Sequence, residues 1–196
     1  WGPPGAGKTT LASIIAQRTK RHFEVLSAVT SGVADLRRVV GEAAERLRLT
    51  SLRTILFIDE LHRFNRAQQD ALLPHVEAGT ITLIGATTEN PSFELNSALL
   101  SRASVLSFKR LDDEGLKALL ARAEAHEKRK LPLTDDAREA LIAMADGDGR
   151  AVITLAEDGW LAASSGARTP LDREALVALV QRRAPIHDKS QDGHYN

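Results

Sequence analysis

Two stretches of the sequence combine residue types that bind phosphate groups and divalent cations. The first, GPPGAGKTT at residues 2–10, has the G-x-x-x-x-G-K-T spacing of a phosphate-binding loop. The second, ILFIDE at residues 55–60, is an apolar run that ends in two adjacent acids, Asp59 and Glu60. A solvated face would interleave its acids with hydrophobic residues, so the placement of this pair indicates a chemical role.

The loop predicts a nucleotide site, because glycines let backbone amides turn toward phosphates and the following helix presents the positive end of its dipole. In this pattern the Lys8 ammonium contacts the β- and γ-phosphates of ATP, and the Thr9 hydroxyl binds Mg²⁺. The alternative is a Gly-Pro turn that only caps a helix. The predicted nucleotide-binding residues are Gly2, Pro3, Pro4, Gly5, Ala6, Gly7, Lys8, Thr9 and Thr10.

The acid pair fits the same reaction. Two neighbouring carboxylates repel each other unless a cation is close, and Mg²⁺ supplies that charge. Asp59 is predicted to hold Mg²⁺, directly or through water, and Glu60 to orient and deprotonate the attacking water. The alternative is a pair of surface acids at the end of a strand. Loop and acid pair together predict ATP hydrolysis.

The elements that must position these residues follow from the apolar pattern. Short, partly β-branched runs predict strands, and continuous apolarity at 55–58 and 81–84 predicts burial on both faces, as in a parallel sheet. Strands and helices alternate, so the fold class is α/β, a parallel sheet flanked by helices. The predicted strands are Phe23–Ala28, Thr54–Asp59, Ile81–Ala86 and Val105–Phe108, and the helices are Thr9–Thr19, Gly32–Leu47 and Gln68–Glu77, the last bent at Pro74.

The second half of the chain has helical spacing and no evident strand. Apolar residues recur at helical intervals from Leu116 to Met144, and Thr134 or Asp135 suits the N-cap of one helix. We predict an α/β core at residues 1–110, a small all-helical lid domain at 111–183, and a linker at 184–196 toward a further C-terminal domain. The last two helices are predicted at about Arg150–Ala163 and Asp172–Arg182.

Composition limits the classes of function. The 26 basic and 26 acidic residues balance, so no net charge draws the chain to nucleic acid or membrane, and any DNA contact must be local. No apolar run approaches the roughly 20 residues that a membrane helix needs. The chain has no cysteine, which excludes disulfides and thiolate metal sites and is typical of a cytoplasmic protein.

With GPPGAGKT and ILFIDE in place, the chain resembles the AAA+ ATPases. The stretch FIDELHRFNRAQQDALLPHVEAGTITLIGATTENPSFELNSALLSR, residues 57–102, narrows the resemblance to the replication-associated recombination protein A family. That family includes RarA, also called MgsA, and the eukaryotic Werner-helicase-interacting ATPase. SAVTSGVADLR at 27–37 and QRRAPIHDKSQDGHYN at 181–196 are also similar to it, so the resemblance covers almost the whole chain.

The resemblance implies further catalytic residues beside Glu60. Thr87, at the end of the TLIGATT strand, matches the sensor 1 position; the alternative is a threonine that caps the next turn. Arg102 in LLSR matches the arginine finger that clamp-loader relatives present to a neighbouring subunit; the alternative is an arginine paired with an acid of its own subunit. Arg150 in GDGRAVITL matches sensor 2 of the lid; the alternative is a surface residue at a helix start.

By resemblance, the protein is expected to hydrolyse ATP with Mg²⁺ in replication-fork maintenance, DNA repair and recombination. The implied partners are DNA at forks, gaps or ends, single-stranded-DNA-binding protein, and further copies in a homo-oligomer, with no membrane. The implied location is cytoplasmic and nucleoid-associated. The alternatives are a RuvB-type branch-migration motor, a clamp-loader-like subunit, and, from another class, a non-hydrolysing ATP-binding assembly subunit.

The sequence opens at Trp1, directly on the phosphate-binding loop. We therefore expect the strand that normally precedes such a loop to lie upstream and to belong between the Ile81 and Val105 strands. Those two strands should be separated by about two strand spacings, roughly 10 Å, or be collapsed together. The chain alone should then be a poor ATPase.

Overall fold

The computed structural model describes residues 1–166 and 169–188, with side chains described through residue 181. The chain forms two compact units, Trp1–Lys109 and Arg110–Asn196. The first contains a three-stranded parallel sheet with flanking helices, and the described residues of the second are helical apart from one isolated bridge, which confirms the predicted fold class. In the described ranges, no helix is long and apolar enough to cross a lipid bilayer.

The sheet has the order β1-β2-β3 with parallel pairing throughout: β1 (His22–Ser27), β2 (Thr54–Asp59) and β3 (Ile81–Gly85). Ser27 pairs with Asp59 and Ile58 pairs with Gly85, so the carboxyl ends of all strands meet at one edge. The central strand β2 is buried except at its last residue, as predicted. The predicted burial of β3 is wrong beyond Ile81, because β3 borders the sheet and has a ladder partner on one side only.

Helices cover both faces of this sheet. Successive side chains of a strand point to opposite faces. Phe57 of β2 packs with Ala12 of α1, whereas Leu56 and Ile58 pack in a second cluster with α2 and α3. The helices of this unit are α1 (Lys8–Thr19), α2 (Val33–Thr50), α3 (Arg66–Glu77) and the short α4 (Pro91–Glu94) and α5 (Ser97–Leu100), with a 3₁₀ turn at Leu61–Arg63.

The segment Val105–Phe108, predicted as a strand, has no regular secondary structure. The Trp1 backbone nitrogen donates to the Leu106 carbonyl at 2.6 Å, and the Phe108 amide donates to the Trp1 carbonyl at 2.8 Å. A strand needs a ladder along its length, and these bonds join the segment to a single residue. A cavity of about 350 Å³, lined by Leu83 of β3 and by Val105, lies where the gap in the sheet was predicted.

The second unit is built on helices around one apolar core. Thr134 lies at the N-cap of the second of these helices, one of the two residues proposed for that position. The core includes Leu116, Leu141, Trp160 and Leu176, one from each helix. The helices are α6 (Asp113–Glu127), α7 (Asp135–Ala145), α8 (Gly149–Ser164) and α9 (Arg173–Asp188).

The end of α9 corrects the sequence analysis. We predicted a helix end near Arg182 and a linker from 184, but the helix continues to Asp188. Pro185 lies within it. A proline removes one backbone donor, which weakens a helix locally without requiring it to end. The rest of the predicted linker, residues 189–196, lies outside the described residues.

One buried acid organises the second unit. The Glu124 side chain is 4% exposed and forms ion pairs with Arg138 and, at 3.2 Å, with Lys130. Its carboxylate also accepts the Leu131 amide at 2.7 Å. Burial opposes ionisation of Glu124, but the bonds from Arg138, Leu131 and Lys130 together lower its pKa below the ordinary 4.5. The ionised, paired form is therefore the stable one in the folded unit.

Replacing Arg138 with Met should destabilise this unit by about 3 kcal/mol, because it leaves a buried carboxylate with fewer partners. Hydrogen exchange of α6 and α7 amides measures the free energy, and the exposed Arg122→Met is the matched control. Since the folded pKa of Glu124 is lowered, its contribution is present above the unfolded pKa and is lost as the pH falls through the folded value. Equal exchange rates in Arg138→Met and Arg122→Met would show that the ion pair of Glu124 with Arg138 does not stabilise the second unit.

Candidate functional site

The predicted phosphate-binding loop leads directly into α1. Gly5 and Gly7 have φ of 65° and 88°, left-handed values that glycine adopts at no steric cost. Gly7 is the N-cap residue of α1, and no side chain of the described residues caps that helix. A Cβ atom on Gly7 would meet nothing within 4 Å. The loop therefore presents an open helix N-terminus, the arrangement that binds phosphate groups.

Gly2 fixes the loop at the carboxyl edge of the sheet. Its amide donates to the Thr87 carbonyl at 3.1 Å, just beyond the end of β3. A Cβ atom at this position would lie 2.5 Å from the Phe108 carbonyl oxygen, so a larger residue would push the two segments apart. The start of the loop and the strand ends that carry the polar residues are thus held together.

Lys8 is folded onto the loop itself. Its ammonium donates to the carbonyl oxygens of Gly2 at 2.7 Å and Pro3 at 2.8 Å. An ammonium has three donors, so one remains for a phosphate oxygen. The two bonds hold the positive charge in one place and reduce the entropy that Lys8 would lose on binding.

Asp59 and Glu60 lie at the end of β2, both half-buried. The Glu60 backbone is left-handed, with φ of 54°, and its amide donates to Asp59 Oδ1 at 3.1 Å. This conformation is costly for a residue with a side chain. The Leu61 amide donates to the Ala86 carbonyl at 2.9 Å, so the turn after β2 is tied to the end of β3.

The two threonines after β3 have different surroundings. Thr87, predicted as the sensor, is 3% exposed, and its hydroxyl lies 2.8 Å from His62 Nδ1. The same hydroxyl accepts the Glu89 amide at 3.0 Å, so its oxygen is engaged within the protein. The Thr88 hydroxyl instead faces Glu60, 3.5 Å from Oε2. The sequence did not single out Thr88 as the threonine beside Glu60, because both threonines lie beyond the end of β3, where the alternation of strand side chains no longer applies.

Arg102, the predicted arginine finger, follows α5 and is exposed. Its guanidinium forms an ion pair with Glu77 at 2.5 Å and donates to the Ala98 carbonyl at 2.9 Å. Arg102 is thus paired with an acid of its own chain, the alternative to an arginine finger. Because an exposed ion pair contributes only about 0–1 kcal/mol, it does not hold the side chain in that position. Arg102 and Lys8 both border the cavity beside β3.

Arg150, the predicted sensor 2 residue, belongs to the second unit. It is exposed in the first turn of α8, and its amide donates to Asp148 Oδ1 at 2.7 Å. Asp148 is the N-cap of that helix. The N-cap therefore holds the backbone of Arg150 in place, although the side chain is exposed.

The donor set suits Mg²⁺. The Thr9 hydroxyl and the Asp59 carboxylate offer hard oxygen ligands, which Mg²⁺ prefers. Within residues 1–166 and 169–188, no group of three or more His, Cys, Asp or Glu could hold a metal. A cation here would thus need further oxygen atoms from phosphates and water, as Mg²⁺ usually does in nucleotide sites.

The sequence matches the family model of the ATPase family associated with various cellular activities (AAA) over residues 1–111. A second model, the AAA C-terminal domain, matches residues 127–196. The matched residues include the phosphate-binding loop and the acid pair at the end of β2. The chain belongs to the AAA family of ATPases.

Within that family the sequence is similar to replication-associated recombination protein A, which confirms the narrower resemblance. The chain is 46% identical to that protein of Escherichia coli K12, over 100% of this chain and 45% of the relative. It is 54% identical to the Coxiella burnetii protein, over 80% of this chain and 36% of the relative. The ATPase WRNIP1 of Dictyostelium discoideum is 42% identical, with 24% of its length covered.

Among solved structures, the chain is similar to the RuvB Holliday junction branch migration motor of Thermotoga maritima. The TM-score is 0.69 at 30% identity, over 92% of this chain and 59% of that one. The likeness supports the AAA+ fold. The chain spans less than half the length of the curated relatives it matches.

Proposed function

We propose that this chain binds ATP with Mg²⁺ and hydrolyses the terminal phosphoanhydride bond. The observation that carries the proposal is the meeting of two motifs at one sheet edge. The Gly2 amide ties the loop to Thr87, and the turn that begins at Glu60 is tied to the same strand end through Leu61 and Ala86. Phosphate-binding and acidic groups are thus brought together by backbone hydrogen bonds.

The loop binds and orients the triphosphate. Backbone amides of residues 5–10, at the N-terminus of α1, donate to the phosphate oxygens, and the Lys8 ammonium adds a localised charge. Thr9 and Asp59 would hold Mg²⁺, which when bound neutralises charge on the phosphates. Glu60 accepts a proton from the attacking water and orients it.

Three further residues are assigned roles in the same proposal. We assign the sensor role to Thr88, with Thr87 behind it, because the Thr88 hydroxyl is the one that faces Glu60. Arg102 acts on the site of a neighbouring copy, and this requires a homo-oligomer. Arg150 takes the sensor 2 role. The family resemblance supports the last two roles.

The biological role proposed is the maintenance of replication forks, DNA repair and recombination, with DNA and single-stranded-DNA-binding protein as partners. The names of the relatives, which refer to replication-associated recombination, support it. The proposed location is the cytoplasm, at the nucleoid. A branch-migration motor is the second candidate, favoured by the fold likeness to RuvB. The rate of ATP hydrolysis in the presence of gapped DNA or of four-way junctions distinguishes the two. Stronger stimulation by gapped DNA favours the role in fork maintenance.

Lys8→Ala should weaken ATP binding by about 10- to 100-fold, because a charged hydrogen bond contributes about 1.5–3 kcal/mol. Titration of the full-length protein with a fluorescent ATP analogue measures this change. The control is Arg18→Ala, which removes an exposed cation from the same helix. Equal affinities in the two variants would mean that Lys8 does not contact the phosphates, and the proposed nucleotide site would fail.

A further inference from the structure

His62 lies between the end of β3 and the acid pair, and the proposed reaction assigns it no role. Its side chain is 9% exposed, with Nδ1 2.8 Å from the Thr87 hydroxyl and 3.4 Å from Glu60 Oε2. Thr87 and Glu60 come from different strand ends, 27 residues apart in the sequence. One imidazole nitrogen therefore contacts both.

A proton on Nδ1 suits both contacts of that nitrogen. The Thr87 hydroxyl accepts the Glu89 amide at 3.0 Å and can donate its own hydrogen to the Glu89 carbonyl at 3.3 Å, so it can also accept from His62. In this tautomer the Nδ1–H donates to the Thr87 hydroxyl at 2.8 Å and makes a longer contact, 3.4 Å, with Glu60 Oε2. The opposite tautomer would direct a lone pair of Nδ1 at the Glu60 carboxylate, which is repulsive.

The parts around this histidine are rigid. His62 belongs to the 3₁₀ turn, which the Arg63 amide closes by donating to the Glu60 carbonyl at 2.8 Å. Thr87 is buried at the end of a strand. By contrast, the Glu60 side chain is 30% exposed and would have several rotamers in solution. A fixed donor beside its Oε2 atom selects one of them.

We propose that His62 is a positioning residue that holds the Glu60 carboxylate, through Nδ1–H, in the orientation needed to activate water. The inference rests on the proposed ATP hydrolysis. Because the contact of His62 is with Glu60, its loss should change the rate of the chemical step and leave ATP binding intact. Thr87 is the anchor that fixes the imidazole.

The test compares His62→Ala, His62→Asn and His62→Gln in the full-length protein. The amide nitrogen of Asn occupies the position of Nδ1, whereas that of Gln reaches the position of Nε2. We expect kcat of the Ala and Gln variants to fall about 10- to 100-fold, the usual loss when a group that orients a functional side chain is removed. The Asn variant should stay within about threefold of wild type, and the Kd for ATP should change little in all three.

The exposed His126→Ala is the matched control, and Glu60→Gln is measured in the same assay. The role of His62 would be overturned if kcat were unchanged in the Ala variant or fell equally in the Asn and Gln variants. It would also be overturned if only the affinity for ATP fell. If His62→Ala does not fold, the comparison of Asn with Gln decides. A wild-type rate in Glu60→Gln would instead overturn the proposed hydrolysis at Glu60, and the inference with it.

Discussion

Arg102→Ala should lower kcat of the full-length protein by roughly 10³–10⁵-fold, the range for an arginine that stabilises charge developing on a transferred phosphoryl group. Binding of ATP should be nearly unchanged, because the guanidinium acts on the site of a neighbouring copy. Phosphate release under saturating ATP measures the rate. The exposed Arg66→Ala is the control for loss of a surface cation.

Two further experiments distinguish action of Arg102 on a neighbouring copy from its ion pair with Glu77 in the same chain. Glu77→Gln removes the partner of Arg102 but keeps the guanidinium, so the rate should change little. Mixing Arg102→Ala with Lys8→Ala should restore part of the activity, because mixed oligomers contain sites with an intact loop beside an intact Arg102. An equal loss in Glu77→Gln, or no recovery after proven subunit exchange, would contradict action between copies.

Glu60→Gln should lower kcat by roughly 10²–10⁴-fold, the contribution of a general base. Glutamine keeps the volume and hydrogen bonding but cannot accept the proton, so ATP should bind and persist. Rapid-quench measurement of bound ATP and ADP in a single turnover distinguishes this block from slow product release. A chemical step at the wild-type rate would show that Glu60 is not the base.

The parts of the site that could be predicted from sequence depend on local pattern. A few consecutive residues are enough to predict the phosphate-binding loop, the acid pair and the positions of β1 to β3. The loop forms because its glycines take left-handed values, as at Gly5 and Gly7. Adjacent acids after a buried strand must lie at the sheet edge whatever the rest of the chain does.

Features that depend on a distant partner could not be predicted from local pattern. Val105–Phe108 has the composition of a strand but lacks a neighbour that pairs along its length, and β3 is partly exposed for the same reason. The contact of His62 with Thr87 joins residues 25 apart and depends on the register of β2 with β3. The pair of Arg102 with Glu77 likewise links two elements that no local pattern relates.

If the loop and the acid pair form one hydrolytic site, the full-length protein should release labelled phosphate from γ-labelled ATP. Lys8→Ala, purified in parallel, excludes a contaminating ATPase. We predict release that requires Mg²⁺ and that, at an ATP concentration below the wild-type Kd, falls about 10- to 100-fold in Lys8→Ala. No release by the wild-type protein, or equal release by both proteins, would contradict the account.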